Sequence, residues 1–212
     1  IGEVFDKMKV ILINGSPNAR GCTYTALSEV AQTLEDEGIE TEIIHVGHKD
    51  IRGCIGCRKC KTLGKCIFND IVNEVAPKFK ECDGIVIGSP VYFASANGTL
   101  ISFVDRLFYS MTEDKTMKVG ATVVSARRAG NTATFDEINK YFTISQMPVV
   151  SSQYWNMVHG NNAEEVKQDL EGLQTMRTLG RNMAFLIKSI HLGKEKYGLP
   201  EKEESVHTNF IR

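Results

Sequence analysis

Five short apolar runs, rich in β-branched residues, alternate along the chain with stretches whose apolar residues recur at helical spacing. This alternation predicts a parallel β-sheet whose strands are connected by helices. Each run is almost continuously apolar, which is typical of strands that helices cover on both faces. The last helix is expected to begin at a cap, Asn162, and to end at Gly193. The predicted strands comprise residues 10–13, 41–46, 84–88, 119–125 and 148–151.

The number of strand-helix units predicts the fold class. Five such units in 212 residues favour an α/β doubly wound sandwich, with a five-stranded parallel sheet in the flavodoxin-like order 2-1-3-4-5. Sheets of this kind bind ligands beyond the carboxyl ends of their strands, near the switch point between the first and third strands. Every segment with unusual chemistry follows a predicted strand, so we expect these segments to gather along one edge of the sheet.

The length of the chain predicts one domain followed by a tail. We expect the domain to cover residues 1–193, including a cysteine-rich loop at 53–66, and the charged tail to cover 194–212. Residues 1–7 are expected to be an extension ahead of a natural start at Met8.

Composition limits the kinds of partner. The formal net charge is -1, which does not favour nucleic acid or an anionic membrane surface. No apolar stretch approaches the roughly 20 residues that span a bilayer. Six cysteines without a secretory signal predict a cytoplasmic location and argue against a disulfide framework. A small-molecule partner is therefore expected, with no nucleic acid and no membrane.

The first predicted strand runs into a loop that is suited to a phosphate group. Residues 14–25 contain Gly15 and Gly21 together with hydroxyl and amide side chains, and a helical pattern follows at once. Such a loop presents backbone N–H groups and the positive end of a helix dipole to an anion. The pattern is neither the Walker A sequence nor the G-x-G-x-x-G fingerprint of dinucleotide binders, so FMN is the leading ligand. The alternative is an ordinary turn that starts a helix.

Two further loops could complete a flavin site. The segment 88–98, after the third strand, combines a stiff Ser-Pro turn with Tyr92 and Phe93, so it could cradle a flat ring and offer backbone N–H groups to it. After the fourth strand, Arg127 and Arg128 could hold flavin oxygens or receive the phosphate of a nicotinamide cofactor. The alternatives are aromatic side chains that fill the core and an exposed turn with two solvated arginines.

A run of cysteines after the second strand has the spacing C-x2-C-x2-C-x5-C. Its members are Cys54, Cys57, Cys60 and Cys66. Repeated C-x2-C steps followed by a glycine-containing excursion can wrap a cubane iron-sulfur cluster. The alternatives are zinc, whose sites usually join two C-x2-C pairs across a longer spacer, and a set of free or redox-active thiols. Cys82 is expected to be a buried packing residue.

Three motifs occur at separate places in the chain: G-S-P-x-x-x-G-x-T after the first strand, G-S-P-V-Y after the third, and V-D-R in the following helix. Together they resemble the NADPH-dependent FMN reductase family of flavodoxin-like proteins. The compact cysteine run is similar to that of the iron-sulfur flavoprotein branch of this group, whose members carry a 4Fe-4S cluster near FMN and assemble as oligomers. By this resemblance, the residues that line the FMN phosphate would be Ser16, Asn18, Cys22, Thr23 and Tyr24. Those that face the isoalloxazine ring would be Pro90, Val91, Tyr92, Phe93 and Ala94.

These expectations lead to an FMN-dependent oxidoreductase that transfers electrons between a reduced donor and an acceptor, with FMN, a 4Fe-4S cluster and NAD(P)H as its expected cofactors. No catalytic side chain is expected, because the flavin and the cluster would carry the chemistry. Asp105 and Arg106 are expected to form a surface or interface ion pair. The alternatives are an NAD(P)H-dependent FMN or quinone reductase without a cluster and a non-catalytic, zinc-stabilised binding module. The resemblance implies a homodimer or homotetramer with small-molecule or protein electron partners.

Overall fold

The computed structural model of the chain describes residues 7–210. Most of the predicted extension, residues 1–6, and the last two residues of the predicted tail lie outside the described residues. The strands are β1 (Lys9–Asn14), β2 (Glu40–His45), β3 (Gly84–Tyr92), β4 (Ser95–Ala96), β5 (Val119–Ala126) and β6 (Met157–His159). The helices are α1 (Cys22–Asp36), α2 (Cys60–Leu63), α3 (Ile71–Glu81), α4 (Gly98–Ser110), α5 (Asn131–Ile144), α6 (Ala163–Gln168) and α7 (Leu170–Tyr197).

Five of these strands form a parallel sheet in the order β2-β1-β3-β5-β6. The short β4 lies off this path and pairs antiparallel with β3. The predicted sheet of five strands in the order 2-1-3-4-5 is therefore wrong in two respects. The sheet has a sixth strand, the two-residue β4, which the apolar pattern does not reveal. Because β4 follows β3 in the chain, the strands beside β3 on this side of the sheet are the fifth and sixth and not the fourth and fifth. The α/β architecture with a parallel sheet is confirmed.

The predicted fifth strand, 148–151, is also wrong. Only Val149 pairs there, through an isolated bridge to Gly120, and the chain then leaves the sheet before it returns as β6. The Ser152 hydroxyl donates to the side-chain oxygen of Asn156 at 2.7 Å and holds this excursion together. An edge strand tolerates such an interruption because only one of its sides is paired with another strand.

Helices cover both faces of the sheet, and its central strands are buried. In β1, Val10 and Leu12 pack in the cluster that contains α1 and α7, whereas Ile11 and Ile13 pack in the cluster that contains α3, α4 and α5. All four side chains are fully buried. Burial of one such side chain stabilises the fold by about 1.5–3 kcal/mol, so the strands give a rigid base to the loops at their carboxyl ends.

The last predicted helix consists of two helices in the structure. Asn162 caps α6 as predicted for a helix start, but Asp169 interrupts the run and caps α7. Gly193 lies inside α7, which ends at Gly198 instead. The φ of Gly198 is 75°, a positive value that glycine adopts more readily than other residues.

Residues 198–210 contain no helix or strand, and the first four residues of the predicted tail, 194–197, belong to α7. Lys202 in this segment pairs with Asp114 at 2.6 Å. The division of the chain into a domain over 1–193 and a tail stays a prediction. Within residues 7–210, no helix combines the length and the apolar character that crossing a bilayer requires.

Candidate functional site

Asn14 shapes the loop that follows β1. Its side chain is fully buried, its Oδ1 accepts from the Ser16 N–H at 3.0 Å, and its Nδ2 donates to the Ala19 carbonyl at 3.2 Å. The Ser16 hydroxyl oxygen accepts from the Asn18 N–H at 3.2 Å. Sequence reasoning assigned no role to Asn14, although an asparagine before Gly-Ser at the end of a strand is a signal for a side-chain-stabilised turn.

The N-terminus of α1 is open towards this loop. Within residues 7–210, no side chain caps the helix, which follows Gly21. The N–H groups of Cys22, Thr23 and Tyr24 belong to its first turn, where no intrahelical acceptor exists. Their partial positive charge and the helix dipole favour an anion. The loop and the first turn of α1 therefore fit a phosphate group.

The Cys22 side chain turns towards a different loop. Its Sγ donates to the carbonyl of Gly160, which follows β6, at 3.4 Å. Burial raises the pKa of this thiol, so it is protonated at neutral pH and able to donate. Because the thiol hydrogen is engaged with Gly160, the backbone N–H is the donor that Cys22 can offer to a phosphate.

The loops after β1, β3 and β5 meet at the carboxyl edge of the sheet. The Gly15 N–H donates to the Gly88 carbonyl at 2.8 Å, and the hydroxyl oxygens of Thr23 and Ser125 lie 2.8 Å apart in a buried position. Pro90 stands next to Ser125 in the register of β3 and β5. The fold therefore brings together the segments predicted to bind the phosphate, the flavin ring and the flavin oxygens.

A tight hairpin joins β3 to β4. Phe93 and Ala94 have φ values of 51° and 59°, the left-handed conformation that both central positions of a type I′ turn require. The Glu137 carboxylate holds the returning strand by accepting from the Ser95 hydroxyl at 2.9 Å. The Phe93 side chain is fully exposed and that of Tyr92 is half-exposed. The alternative that these aromatic rings fill the core is therefore wrong, and both rings are accessible to a ligand.

Arg127 and Arg128 begin the loop after β5, and both are exposed. Neither guanidinium forms a hydrogen bond or ion pair with another part of the described chain. This loop packs closely against the hairpin at Gly130. A Cβ atom added at Gly130 would lie only 2.8 Å from Val91 Cγ1, so a larger residue would not fit there. Arg128 lines a cleft of about 420 Å³ together with Trp155. Both arginines are thus free to bind an anion or a carbonyl oxygen.

The predicted cluster ligands line a single pocket, and they are Cys54, Cys57, Cys60 and Cys66. Cys54 and Cys57 are exposed, whereas Cys60 is buried and Cys66 is partly buried. The pocket lies against α4 at Arg106 to Ser110, about 12–18 Å along the helix from its start. The Cys66 backbone is also bound to Asn73 in the first turn of α3. The expectation that this loop gathers with the others along one edge of the sheet stays a prediction.

Arg106 is a residue whose environment sequence reasoning predicted wrongly. Asp105 does not pair with it but accepts from the Tyr141 hydroxyl at 2.5 Å, and the Arg106 side chain is only 1% exposed. The guanidinium binds Asp70 at 2.6 and 2.9 Å, and its Nε and Nη2 each lie 3.3 Å from the Sγ of Cys66. Burial lowers the pKa of Arg106, but the hydrogen bonds with Asp70 and Cys66 outweigh it and raise the pKa above its ordinary value.

Two further observations concern the group that this cysteine pocket could hold. Ser110 is one of the residues that line the pocket, and its buried hydroxyl has no hydrogen-bond partner within residues 7–210. In the same part of the chain, no three potential ligands are close enough together to hold one metal ion. In a cubane cluster each thiolate binds a different iron, so the four sulfurs stand farther apart than those around one zinc ion. Four cysteines around one pocket are the ligand set that a cubane cluster requires.

The sequence also matches a known family. The model of the family described as NADPH-dependent FMN reductase matches residues 8–162, which include the flavin-site loops and the cysteine loop. The chain belongs to the NADPH-dependent FMN reductase family. The predicted family is thus confirmed, and with it the assignment of the chain as an FMN-dependent oxidoreductase.

Relatives place this FMN reductase family member in the iron-sulfur flavoprotein branch. It is 37% identical over 195 residues to an iron-sulfur flavoprotein of Methanocaldococcus jannaschii. The match covers 86% of this chain and 99% of the relative. Among solved structures it is similar to a flavodoxin from the domain Archaea, with a TM-score of 0.60, 18% identity and coverage of 85% of this chain and 99% of the flavodoxin. It is also similar to RosB with a bound 8-demethyl-8-formylriboflavin 5′-phosphate, with a TM-score of 0.67, 16% identity and coverage of 97% and 94%. These likenesses confirm the flavodoxin-like fold.

Proposed function

We propose that this member of the FMN reductase family holds FMN at the carboxyl edge of its sheet and a 4Fe-4S cluster in the cysteine pocket, and that it passes electrons between a reduced donor and an acceptor. The observation that carries the proposal is the gathering of four cysteines around one pocket that also receives the Arg106 guanidinium. FMN exchanges two electrons and a cluster exchanges one, so together they couple two-electron and one-electron partners.

In this proposal the residues that hold the FMN phosphate are Ser16, Asn18, Cys22, Thr23 and Tyr24. The residues that hold the ring are Pro90, Val91, Tyr92, Phe93 and Ala94. Arg127 and Arg128 stabilise negative charge on the oxygen atoms of the ring. The open N-terminus of α1 supports the first set, and the exposed hairpin and the free guanidinium groups support the others. No side chain is needed as an acid or a base.

Helix α4 connects the two proposed cofactor sites. At its start, the Asn97 N–H donates to the Ser89 hydroxyl at 3.0 Å, and the Asn97 side chain accepts from the Thr99 N–H at 2.8 Å. These bonds fix the helix to the strand that carries the proposed ring-binding residues. Farther along the same helix, Arg106 donates to Cys66. One rigid element thus sets the distance between the flavin loop and the cysteine pocket, which suits electron transfer between them.

A second candidate function is that of an NAD(P)H-dependent FMN or quinone reductase without a cluster. The cleft of about 420 Å³ that Arg128 and Trp155 line favours it, because organic ligands commonly occupy clefts of about 300–1,000 Å³. The third alternative, a non-catalytic zinc-stabilised binding module, does not account for the membership of the chain in the NADPH-dependent FMN reductase family. A homodimer or homotetramer, a cytoplasmic location and small-molecule or protein electron partners remain parts of the proposal.

Cysteine variants test the proposed function. After anaerobic purification, Cys57→Ala and Cys60→Ala are expected to lose iron and keep FMN, because none of the residues proposed to hold FMN lines the cysteine pocket. Cys82→Ala is the matched control, since Cys82 is buried like Cys60 but does not line the pocket, and it should keep both cofactors. Iron analysis and flavin absorbance per chain give the result. Unchanged iron in both pocket variants, or loss of flavin together with iron, contradicts the proposal.

A further inference from the structure

Arg106 enters the cysteine pocket in a fixed orientation. Its Nη1 donates to Asp70 at 2.6 Å and to the Arg52 carbonyl at 3.1 Å, while its Nη2 donates to Asp70 at 2.9 Å and to the Phe68 carbonyl at 3.4 Å. The plane of the guanidinium also lies over the Phe68 ring, 5.0 Å from its centroid. These contacts leave Nε and one N–H of Nη2 directed at Cys66 Sγ, each at 3.3 Å.

Cys66 is itself held in place from the other side. The Asn73 side chain accepts from the Cys66 N–H at 3.1 Å and donates to the Cys66 carbonyl at 2.9 Å. Both members of the N–H···S contact are therefore fixed by partners of their own. Because neither group is free to move away, the contact persists when the sulfur acts as a ligand.

Ser110 lies one turn farther along α4 and lines the same pocket. Its side chain is buried, and its hydroxyl has no partner among residues 7–210. A buried hydroxyl without a partner is unfavourable, and such groups in folded proteins usually bind something. Because Ser110 lines the pocket together with the four cysteines, the acceptor that we assign to its hydroxyl is a sulfur atom of the bound group.

We propose that Arg106 and Ser110 are positioning residues that raise the reduction potential of the cluster, Arg106 through Cys66 Sγ and Ser110 through a second sulfur atom in the pocket. The inference rests on the proposed function, because it requires the cluster. Reduction adds a negative charge to a group that is already anionic, so a buried positive charge and hydrogen bonds to its sulfurs stabilise the reduced form. Arg106 provides both effects, with its charge partly offset by the Asp70 carboxylate that it binds, whereas Ser110 provides a hydrogen bond alone.

The experiment is a reductive titration of the anaerobically purified, FMN-loaded and iron-loaded protein, monitored by electron paramagnetic resonance. Arg106→Gln is expected to lower the reduction potential of the cluster most, because it removes the charge and the N–H fork. Arg106→Lys should lower it less, because it keeps the charge, and Ser110→Ala should lower it with no change in charge. Iron content per chain is measured first for every variant.

Arg52→Gln is the matched control. The Arg52 guanidinium lies over the same Phe68 ring at 5.2 Å but is exposed, and within residues 7–210 it forms no hydrogen bond with a cysteine. Its loss should leave the potential near that of the wild type, because water screens an exposed charge. An equal shift in Arg52→Gln and Arg106→Gln would mean that overall charge, not the contact with Cys66, sets the potential, and would overturn the inference.

The possible results distinguish a failure of this inference from a failure of the proposed function. If Arg106→Gln fails to fold or to take up iron, the reduction potential of Ser110→Ala tests the inference. This variant removes one buried oxygen atom and leaves the ion pair between Arg106 and Asp70 intact. Iron-loaded variants of both residues that titrate at the wild-type potential would contradict this inference alone. A wild-type protein without iron would contradict the proposed function from which it starts.

Discussion

The hydroxyl oxygens of Thr23 and Ser125 lie 2.8 Å apart in the interior, where they join the first turn of α1 to the end of β5. Thr23 is 1% exposed and Ser125 is 3% exposed, so water does not compete for either group. This bond ties the loop proposed to hold the FMN phosphate to the loop that carries Arg127. It therefore links the stability of the fold to the shape of the flavin site.

Replacement of one partner of this bond should lower the stability of the fold and weaken FMN binding. Thr23→Val keeps the shape of the side chain but leaves the Ser125 hydroxyl without a partner, which costs about 1–3 kcal/mol of folding free energy. We also expect weaker FMN binding, because the first turn of α1 loses its tie to β5. Urea unfolding and titration of the flavin-free protein with FMN measure the two effects.

The double variant Thr23→Val/Ser125→Ala provides the control for this prediction. Removal of both hydroxyls leaves no unpaired group, so it should recover much of the stability lost in the single variant. The bond would be shown not to matter if Thr23→Val were as stable as the wild type. The same would follow if the double variant lost as much stability as Thr23→Val and the single variant Ser125→Ala lose together.

The hairpin after β3 should become more stable with a glycine. Phe93 has a φ of 51° and a fully exposed side chain, so Phe93→Gly loses no buried surface. Relief of a left-handed conformation is worth about 1–2 kcal/mol, and the greater freedom of glycine in the unfolded chain offsets about 0.5–1 kcal/mol. A net gain of about 0.5–1 kcal/mol is expected in urea unfolding.

The same variant tests whether Phe93 lies against the flavin. Gln146→Gly is the matched control, because Gln146 is also exposed, has a φ of 57° and lies outside the flavin loops. Both variants should gain stability, but only Phe93→Gly should alter the visible absorbance and fluorescence of bound FMN. Identical flavin spectra in both variants would remove Phe93 from the proposed site.

Cys82 should make the protein less stable at high pH. Burial raises the pKa of its thiol from 9.0 to about 11, so the unfolded chain ionises this group before the folded chain does. Below pH 9 this thiol does not change the free energy of unfolding. As the pH rises from 9 to 11, ionisation of the thiol in the unfolded chain lowers the free energy of unfolding. Between pH 8 and 10.5 the loss amounts to about 2 kcal/mol.

The check is urea unfolding of the wild type and Cys82→Ala at these two pH values. The variant should lose less stability than the wild type by roughly the amount attributed to Cys82. Other groups that titrate in this range affect both proteins equally, so the difference isolates the thiol. Equal losses in the two proteins would show that Cys82 ionises as readily in the folded chain as in the unfolded one.

The central strands and their loops were predictable because their signals are local. The apolar run of β1 and the glycine and hydroxyl pattern after it lie within residues 9–25, so neighbouring residues determine both the strand and the phosphate loop. The same holds for the spacing of the cysteines, which predicts that their sulfur atoms face a common centre, and the four residues line one pocket in the structure. The family motifs matched these local features and added the flavin.

The remaining features depend on contacts between distant residues or on backbone conformations without a sequence signal. The sequence predicts a surface position for Arg106 because its partners, Cys66 and Asp70, are 40 and 36 residues away in the chain. The turn into β4 places Phe93 and Ala94 in left-handed conformations with no glycine to reveal it. These two failures concern the residues that distinguish the cysteine pocket and the ring-binding hairpin from an ordinary helix and turn.

The presence of two redox cofactors in one chain is the basis of the proposed function. The measurement that tests this is the visible spectrum of the anaerobically purified protein, combined with iron, acid-labile sulfide and flavin analysis of the same sample. We expect FMN absorbance together with iron and sulfide in equal amounts, and bleaching of both chromophores on reduction. Protein that binds FMN in full but contains neither iron nor sulfide would contradict the account and favour the reductase without a cluster.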